Sequence, residues 1–165
     1  MYRVCFVCTG NICRSPVAES VFRTHVARAG LDTLVEAESA GTGGWHEGDG
    51  ADPRAVSVLE AAGYPQDHRA RQFRSSWFAR LDLVIALDAG HLRDLRALAP
   101  TPQDAAKVRL LRSYDPAAAA AAAQTDVPDP YYGPLDGFEA CLALVEAASP
   151  GLLDAVREAL KEHTA

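Results

Sequence analysis

A cysteine and an arginine separated by five residues lie near the start of the chain. They are Cys8 and Arg14, and the residues between and after them are Thr9, Gly10, Asn11, Ile12, Cys13 and Ser15. At a helix N-terminus, the backbone N–H groups of such a segment can surround a tetrahedral dianion. The arginine adds a planar fork that grips two oxygens of that anion. Among these positive groups the cysteine is expected to ionise readily and to attack phosphorus as a nucleophile.

The spacing of this pair is weak support by itself. A Cys-x5-Arg pattern arises by chance in roughly a third of chains of this composition. The alternative interpretation is a buried strand cysteine followed by a capped helix. The setting favours chemistry, because the pair flanks a predicted strand–loop–helix junction that contains Gly10. Ser15 also carries a hydroxyl that can donate a hydrogen bond to the Cys8 sulfur.

Four short apolar segments alternate with helical patterns and predict the elements that hold this loop. The predicted strands are residues 2–7, 34–40, 81–87 and 107–111. Helices are predicted over residues 16–29, 53–62, 73–80, 89–98, 138–148 and 151–162, with Ser15 as the first N-cap and Pro150 dividing the last two. Residues 113–137, which include the alanine run 117–123, are predicted as one long loop.

This alternation predicts a single α/β domain over residues 1–165, in which a four-stranded parallel sheet carries helices on both faces. Ligands of such sheets bind at the carboxyl ends of the strands. Three polar segments leave predicted strands at that edge, namely residues 8–15, residues 40–45 and Asp88. The phosphate-binding loop would therefore follow the first strand.

Composition excludes several classes of protein. The chain has 165 residues, a net charge of −6 and 48% hydrophobic residues, which is ordinary for a globular domain. The acidic balance argues against nucleic-acid binding, and no apolar run approaches the ~18 residues that span a membrane. The four cysteines lack zinc-site spacing, so no metal is expected. Without a recognisable signal peptide, reduced thiols predict a cytoplasmic protein, with secretion by a signal-less route as the alternative.

The segment Val7-Cys8-Thr9-Gly10-Asn11-Ile12-Cys13-Arg14-Ser15-Pro16 resembles the signature of the low-molecular-weight protein tyrosine phosphatases. Three further motifs follow in the family's order, so the resemblance covers nearly the whole chain: Ser39-Ala40-Gly41-Thr42, Asp67-His68-Arg69-Ala70-Arg71 and Asp129-Pro130-Tyr131. The resemblance implies a four-stranded parallel sheet and proteins bearing phosphotyrosine as substrates. It also implies inorganic phosphate or other oxyanions as ligands of the loop, and neither a metal nor an organic cofactor. A monomer is the default expectation.

The resemblance also implies three catalytic roles. Cys8 would form a cysteinyl-phosphate, Arg14 would bind the phosphate, and Asp129 would protonate the leaving phenolate and then activate water. Chemistry requires such an acid, because protonating the leaving group is worth roughly 10²–10⁴-fold in rate. The alternative for Asp129 is a turn residue, since Asp-Pro commonly begins turns.

Supporting residues follow from the same resemblance. Asn11 would adopt an unusual backbone conformation that asparagine tolerates. Its side chain would hydrogen-bond to Ser39 and His68 and keep the loop preformed. Asp88 would support the loop or Arg14.

Aromatic residues are expected to form the rim of the pocket. Trp45, Tyr131 and Tyr132 would provide flat walls for a phosphotyrosine ring, and the alternative is that they pack on the body of the domain. His46 beside Trp45 would tune specificity. In the family, residues at the positions of Tyr131 and Tyr132 can be phosphorylated.

The resemblance also implies redox sensitivity. In the family, the two cysteines at the positions of Cys8 and Cys13 form a reversible disulfide that protects the nucleophile from over-oxidation. For Cys13 the alternative is a small buried residue.

The chain departs from the family pattern at one position, and three rival functions compete with this interpretation. The family often has Asp-x-x-Asn after the third strand, whereas this chain has His91 three residues after Asp88. A thioredoxin-linked arsenate reductase would need further cysteines near residues 81–91, which hold none. A phosphoarginine phosphatase tends to carry threonine in place of Ile12. A binding module without turnover would lack the nucleophile or the acid, and both Cys8 and Asp129 are present.

Overall fold

Four parallel strands form one sheet at the centre of the computed structural model, which describes residues 1–120 and 125–164. The strands are β1 (Tyr2–Cys8), β2 (Val35–Gly41), β3 (Leu83–Ala86) and β4 (Val108–Leu110), in the spatial order β2-β1-β3-β4. β1 pairs with β2 from Tyr2↔Val35 to Cys8↔Gly41 and with β3 from Val4↔Leu83 to Val7↔Ala86. The predicted four-stranded parallel sheet is confirmed.

Helices cover both faces of the sheet. They are α1 (Arg14–Arg28), α2 (Pro53–Ala61), α3 (Ala89–Leu98), α4 (Pro102–Ala106), α5 (Pro116–Ala120) and α6 (Leu135–Thr164), with 3-10 turns at Ser75–Ala79 and Leu111–Tyr114. Successive side chains of a strand point to opposite faces. Val4 and Phe6 of β1 join the core under α1, α2 and α6, whereas Cys5 and Val7 join a second core that contains Leu95 of α3. Burial on both faces explains why β1 reads as a continuous apolar run.

The start of α1 differs from the prediction. The helix begins at Arg14, so Cys13 occupies the N-cap position without a capping side chain, and Pro16 is the third helical residue. The predicted N-cap role of Ser15 is wrong. Its hydroxyl lies 2.9 Å from the Cys8 sulfur, and that buried contact replaces a cap.

The end of the chain forms one helix rather than two. α6 continues through Pro150, although proline removes a helical hydrogen bond and usually kinks a helix. Ala148 and Leu152 are fully buried on either side of it, so tertiary packing outweighs the local cost. The Ser149 hydroxyl also donates a hydrogen bond to the Val145 carbonyl at 2.7 Å.

The predicted loop over residues 113–137 is also wrong in part. It contains the end of the 3-10 turn Leu111–Tyr114, helix α5 and the first residues of α6. Part of the alanine run, residues 121–123, lies outside the described residues. Helix α4 carries no buried side chain, which is why its pattern was not visible in the sequence. Among the helices of residues 1–120 and 125–164, none combines the length and the apolar character that a membrane span requires.

Candidate active site

The segment from Cys8 to Ser15, which we call the anion loop, lines a cavity of about 330 Å³ at the carboxyl edge of the sheet. Cys8 is the last residue of the central strand and is 3% exposed, so its sulfur lies at the base of the loop. Residues of the anion loop and of two other segments line the cavity: Cys8, Thr9, Gly10, Ile12, Cys13, Arg14, Trp45, His46, Asp129, Tyr131 and Tyr132. The structure thus brings together residues from three separate parts of the chain.

Arg14 is buried and held from behind. Its Nη1 donates to Asp88 Oδ2 at 2.8 Å and to the Val127 carbonyl at 2.9 Å. Its Nη2 lies 3.7 Å from Asp129 Oδ2 at the cavity. Burial by itself would lower the pKa of Arg14, but the nearby Cys8 and the two carboxylates raise it. The guanidinium is therefore a fixed positive charge beside the cavity.

Asn11 shapes the turn of the anion loop. It has φ of +58° and is the only residue other than glycine with positive φ in the described part of the chain. Its fully buried side chain makes three hydrogen bonds. The amide nitrogen donates to Ser15 Oγ at 2.8 Å and to Ser39 Oγ at 3.0 Å, and the amide oxygen accepts from the Arg71 N–H at 3.0 Å. These contacts fix the loop in one conformation.

The hydroxyls of Ser15 and Ser39 each accept a hydrogen bond from Asn11 and donate one to another partner. The Asn11 amide nitrogen can only donate, so both hydroxyls accept from it and keep their own protons for other partners. Ser39 donates to Glu19 Oε1 at 2.7 Å. Ser15 lies 2.9 Å from the Cys8 sulfur and 3.4 Å from the Ala40 carbonyl. The shorter contact directs the Ser15 proton to the sulfur, where it stabilises negative charge.

His68 supports the loop in a way that differs from the prediction. The predicted contact with the Asn11 side chain is wrong, because His68 Nε2 lies 2.6 Å from the Asn11 backbone carbonyl. A carbonyl only accepts, so Nε2 carries the proton. Burial lowers the pKa of His68, against the opposing effects of that carbonyl and Glu19. The amide side chain is instead satisfied by Arg71, which the sequence did not indicate.

Asp88 and His91 back the loop from the start of α3. Asp88 accepts the His91 N–H at 2.8 Å through Oδ1, in addition to its contact with Arg14. His91 is 4% exposed, and its Nε2 lies 2.9 Å from Thr9 Oγ1 and 3.5 Å from Arg14 Nη2. A guanidinium only donates, so Nε2 accepts and the ring proton lies on Nδ1. Burial lowers the pKa of His91, and Arg14 lowers it further.

Cys13 is a free thiol in the anion loop, as is Cys8. Burial raises the pKa of Cys13 to about 12, and the carboxylate of Asp52 adds to this effect. Cys13 is therefore neutral at physiological pH. Among the residues that the structure describes, no group of three or more His, Cys, Asp or Glu side chains is arranged to hold a metal ion.

The aspartate loop, residues 129–133, forms the opposite wall of the cavity. Asp129 Oδ1 accepts the Tyr131 N–H at 3.1 Å, which directs Oδ2 toward Arg14. The rings of Tyr131 and Tyr132 meet edge to face at 4.9 Å. Tyr132 is 91% exposed and Trp45 is 75% exposed, so these side chains extend outward from the mouth of the cavity. The Trp45 ring lies over Gly43, where an added Cβ would overlap it.

The fold and the loop define a class of protein. A buried cysteine after the central parallel strand, a loop of backbone N–H groups and a fixed arginine form the site of a cysteine-dependent phosphatase. Comparison with known proteins agrees: residues 3–163 match the family model described as low molecular weight phosphotyrosine protein phosphatase. The chain belongs to this family.

Relatives resemble the chain over its whole length. It is 71% identical over 164 residues to the low molecular weight protein-tyrosine-phosphatase of Streptomyces coelicolor, covering 99% of each chain. It is 52% identical over 160 residues to the low molecular weight protein-tyrosine phosphatase A of Mycobacterium tuberculosis, covering 97% of this chain and 94% of that protein. A crystal structure of a protein tyrosine phosphatase from Entamoeba histolytica superimposes with a TM-score of 0.90 at 33% identity, covering 96% of this chain and 99% of that one.

Proposed function

We propose that this protein hydrolyses phosphotyrosine in other proteins through a cysteinyl-phosphate intermediate. One observation carries the proposal: the Cys8 sulfur, the Arg14 guanidinium and the Asp129 carboxyl line the same cavity. A nucleophile, an anion clamp and a proton donor are the three groups that this reaction needs.

In the first step, the Cys8 sulfur attacks the phosphorus of the bound dianion. An S–P bond forms while the bond from phosphorus to the phenolic oxygen breaks. The N–H groups of the anion loop and Arg14 stabilise the charge on the equatorial oxygens. Asp129 gives its proton to the departing phenolate, which leaves as a neutral phenol.

In the second step, a water molecule attacks the phosphorus of the intermediate. Asp129, now a carboxylate, accepts a proton from this water, and the S–P bond breaks. Inorganic phosphate is released, and the sulfur regains its negative charge, which the Ser15 hydroxyl stabilises at 2.9 Å. Asp129 ends the cycle protonated, so protons balance over the two steps.

The lining of the cavity supports an aromatic substrate. Trp45, Tyr131 and Tyr132 stand around its mouth and offer flat faces to a phenyl ring. Ile12 lines the same cavity and offers no hydrogen bond to the guanidino group of phosphoarginine. Phosphotyrosine is therefore the preferred substrate in this proposal.

The same proposal describes the protein as a whole. We infer one catalytic domain over residues 1–165 that acts as a cytoplasmic monomer, without a nucleic-acid or membrane partner. Inorganic phosphate and other oxyanions bind in the anion loop. Oxidation of Cys8 inactivates the enzyme, with Cys13 as the neighbouring thiol that can form a disulfide with it.

The experiment compares hydrolysis of p-nitrophenyl phosphate and a phosphotyrosine peptide by wild type, Cys8→Ser and Asp129→Ala, with a chelator and a reductant present. Cys8→Ser should lose turnover and still bind phosphate. Asp129→Ala should slow hydrolysis of the phosphotyrosine peptide by roughly 10²–10⁴-fold. Asp126→Ala is the matched control, because Asp126 is exposed and bonds through its side chain to the Ala89 N–H.

Each outcome separates the proposal from its rivals. Turnover by Cys8→Ser would mean that another group is the nucleophile. A clear preference for phosphoarginine in a parallel assay would overturn the substrate assignment. An inactive wild type that still binds phosphopeptide would indicate a binding module.

A further inference from the structure

Arg54, the second residue of α2, joins the two loops that form the cavity. Its guanidinium donates to both carboxylate oxygens of Asp52, through Nε at 3.0 Å and Nη2 at 2.9 Å. The Asp52 N–H in turn donates to the Ile12 carbonyl of the anion loop at 2.8 Å. One side of Arg54 is therefore fixed to the loop that carries the nucleophile.

The other side of Arg54 holds the aspartate loop. Nη2 donates to the Tyr131 carbonyl at 2.9 Å and Nη1 to the Gly133 carbonyl at 2.7 Å. The guanidinium carbon also lies 4.5 Å from the centre of the fully buried Phe138 ring, at the beginning of α6. A planar fork can make all these contacts at once, and a lysine could not.

We propose that Arg54 is a positioning residue that sets the distance from the Asp129 carboxyl to the Cys8 sulfur. The path is short: Arg54 holds the Tyr131 carbonyl, and the N–H of the same Tyr131 holds Asp129 Oδ1 at 3.1 Å. The Asp129 side chain is 43% exposed and its ion pair with the buried Arg14 is long, at 3.7 Å, so its place depends chiefly on this loop. The inference rests on the proposed function, in which Asp129 is the acid.

A misplaced acid has a specific kinetic signature. Phenyl phosphate has a basic leaving group that needs protonation, whereas p-nitrophenolate leaves without much help. Because kcat/KM covers the step in which the leaving group departs, loss of the acid lowers kcat/KM for phenyl phosphate much more than for p-nitrophenyl phosphate. A general loss of folded protein would lower kcat/KM for both substrates by the same factor.

The test is a double-mutant cycle with wild type, Arg54→Met, Asp129→Asn and the double variant, each assayed with both substrates. Methionine keeps an unbranched apolar side chain against Phe138 and removes every donor. We expect Arg54→Met to lower kcat/KM for phenyl phosphate by about tenfold more than for p-nitrophenyl phosphate. In the Asp129→Asn background, the same substitution should change kcat/KM for phenyl phosphate by less than about twofold.

Arg80→Met is the matched control. Arg80 also makes a bidentate ion pair, with Glu38 at 2.8 Å for both contacts, and it also packs on an aromatic ring, that of Trp77. It contacts neither loop of the cavity through these bonds. Its removal should leave the ratio of the two kcat/KM values unchanged, whatever it does to the thermal midpoint.

The outcomes distinguish this inference from the proposed function. If Asp129→Asn lowers kcat/KM by the same factor for both substrates, Asp129 is not the acid, and both the proposed function of Asp129 and the role of Arg54 fail. Suppose instead that Asp129→Asn lowers kcat/KM more for phenyl phosphate than for p-nitrophenyl phosphate, but Arg54→Met lowers it by the same factor for both. Only the role of Arg54 then fails. The role of Arg54 is also overturned if Arg54→Met lowers kcat/KM for phenyl phosphate as much in the Asp129→Asn background as in the wild type.

Discussion

Replacement of Asn11 by glycine and by alanine separates its hydrogen bonds from its backbone conformation. Both variants lose the three side-chain hydrogen bonds to Ser15, Ser39 and Arg71. At about 1 kcal/mol each, these bonds account for roughly 3 kcal/mol of the free energy of unfolding. For a chain of this size, a loss of that magnitude lowers the thermal midpoint by roughly 10 °C.

The two variants should differ because Asn11 has φ of +58°. Alanine in this left-handed region costs about 1–2 kcal/mol, whereas glycine costs nothing there. Glycine loses about 0.4–1 kcal/mol more than alanine through the entropy of the unfolded chain. Asn11→Ala should therefore be less stable than Asn11→Gly by about 1 kcal/mol, the difference between these two effects.

The assay is urea unfolding of both variants, with glycine and alanine at Thr33 as controls. Thr33 is exposed in the turn before β2 and does not have positive φ, so there alanine should be the more stable replacement. The order of stability should reverse between the two positions. If Asn11→Ala equals or exceeds Asn11→Gly in stability, the conformational argument is refuted. A loss below about 1 kcal/mol in both would refute the hydrogen-bond argument.

Three further predictions concern the surroundings of the cavity. Burial lowers the pKa of His91 from its ordinary 6.5, so the unfolded state binds more protons and the free energy of unfolding falls as the pH falls below 6.5. In urea titrations at a series of pH values, His91→Gln should lose less of its free energy of unfolding on the acid side than the wild type does. An unchanged dependence of this free energy on pH would contradict the prediction. A Cβ added at Gly41 would lie 2.7 Å from the Thr9 carbonyl oxygen, so Gly41→Ala should lower the free energy of unfolding by about 1–3 kcal/mol and weaken the phosphate binding that calorimetry measures. A Cβ added at Gly50 would meet only the His68 carbonyl oxygen, at an ordinary contact distance of 4.0 Å, so Gly50→Ala should do neither. Trp45→Ala should raise KM for a phosphotyrosine peptide several-fold with little change in the thermal midpoint, since Trp45 is 75% exposed. A large fall in the midpoint would mean that the contact of its ring with Gly43 stabilises the fold.

Much of the fold followed from local patterns. The apolar run of β1, the alternation of strands and helices, and the spacing of Cys8 and Arg14 were visible in the sequence, because each depends on neighbouring residues. The polar segments 8–15 and 40–45 and Asp88 were placed at one edge of the sheet by chain direction alone. The roles of Asp129, Tyr131 and Tyr132 came from the family resemblance, because Asp129 by itself reads as a turn residue.

What the sequence did not show depends on contacts between distant segments. Ser15 suits a helix cap, and only the tertiary structure shows that its hydroxyl faces the Cys8 sulfur instead. Pro150 predicts a helix break, yet buried neighbours keep α6 continuous. Arg54 looks like an ordinary surface arginine beside an aspartate cap, and its carbonyl partners lie 77 and 79 residues away. For His91, the departure from the family pattern was a usable signal, because it marked the side chain that contacts Thr9 and Arg14.

The base of the cavity, formed by β1, and its wall, formed by the aspartate loop, should differ greatly in local stability. β1 carries Cys8 and is hydrogen-bonded to a strand on each side, so its amide hydrogens should exchange with solvent only when the whole domain unfolds. The aspartate loop is tied mainly by the Gly133 N–H to the Pro130 carbonyl and by Arg54, so its amides should exchange through local opening, orders of magnitude faster. The strand that carries the sulfur therefore stays in place while the loop that carries Asp129 can open and close, so hydrogen exchange should divide the catalytic groups into a slow set and a fast set.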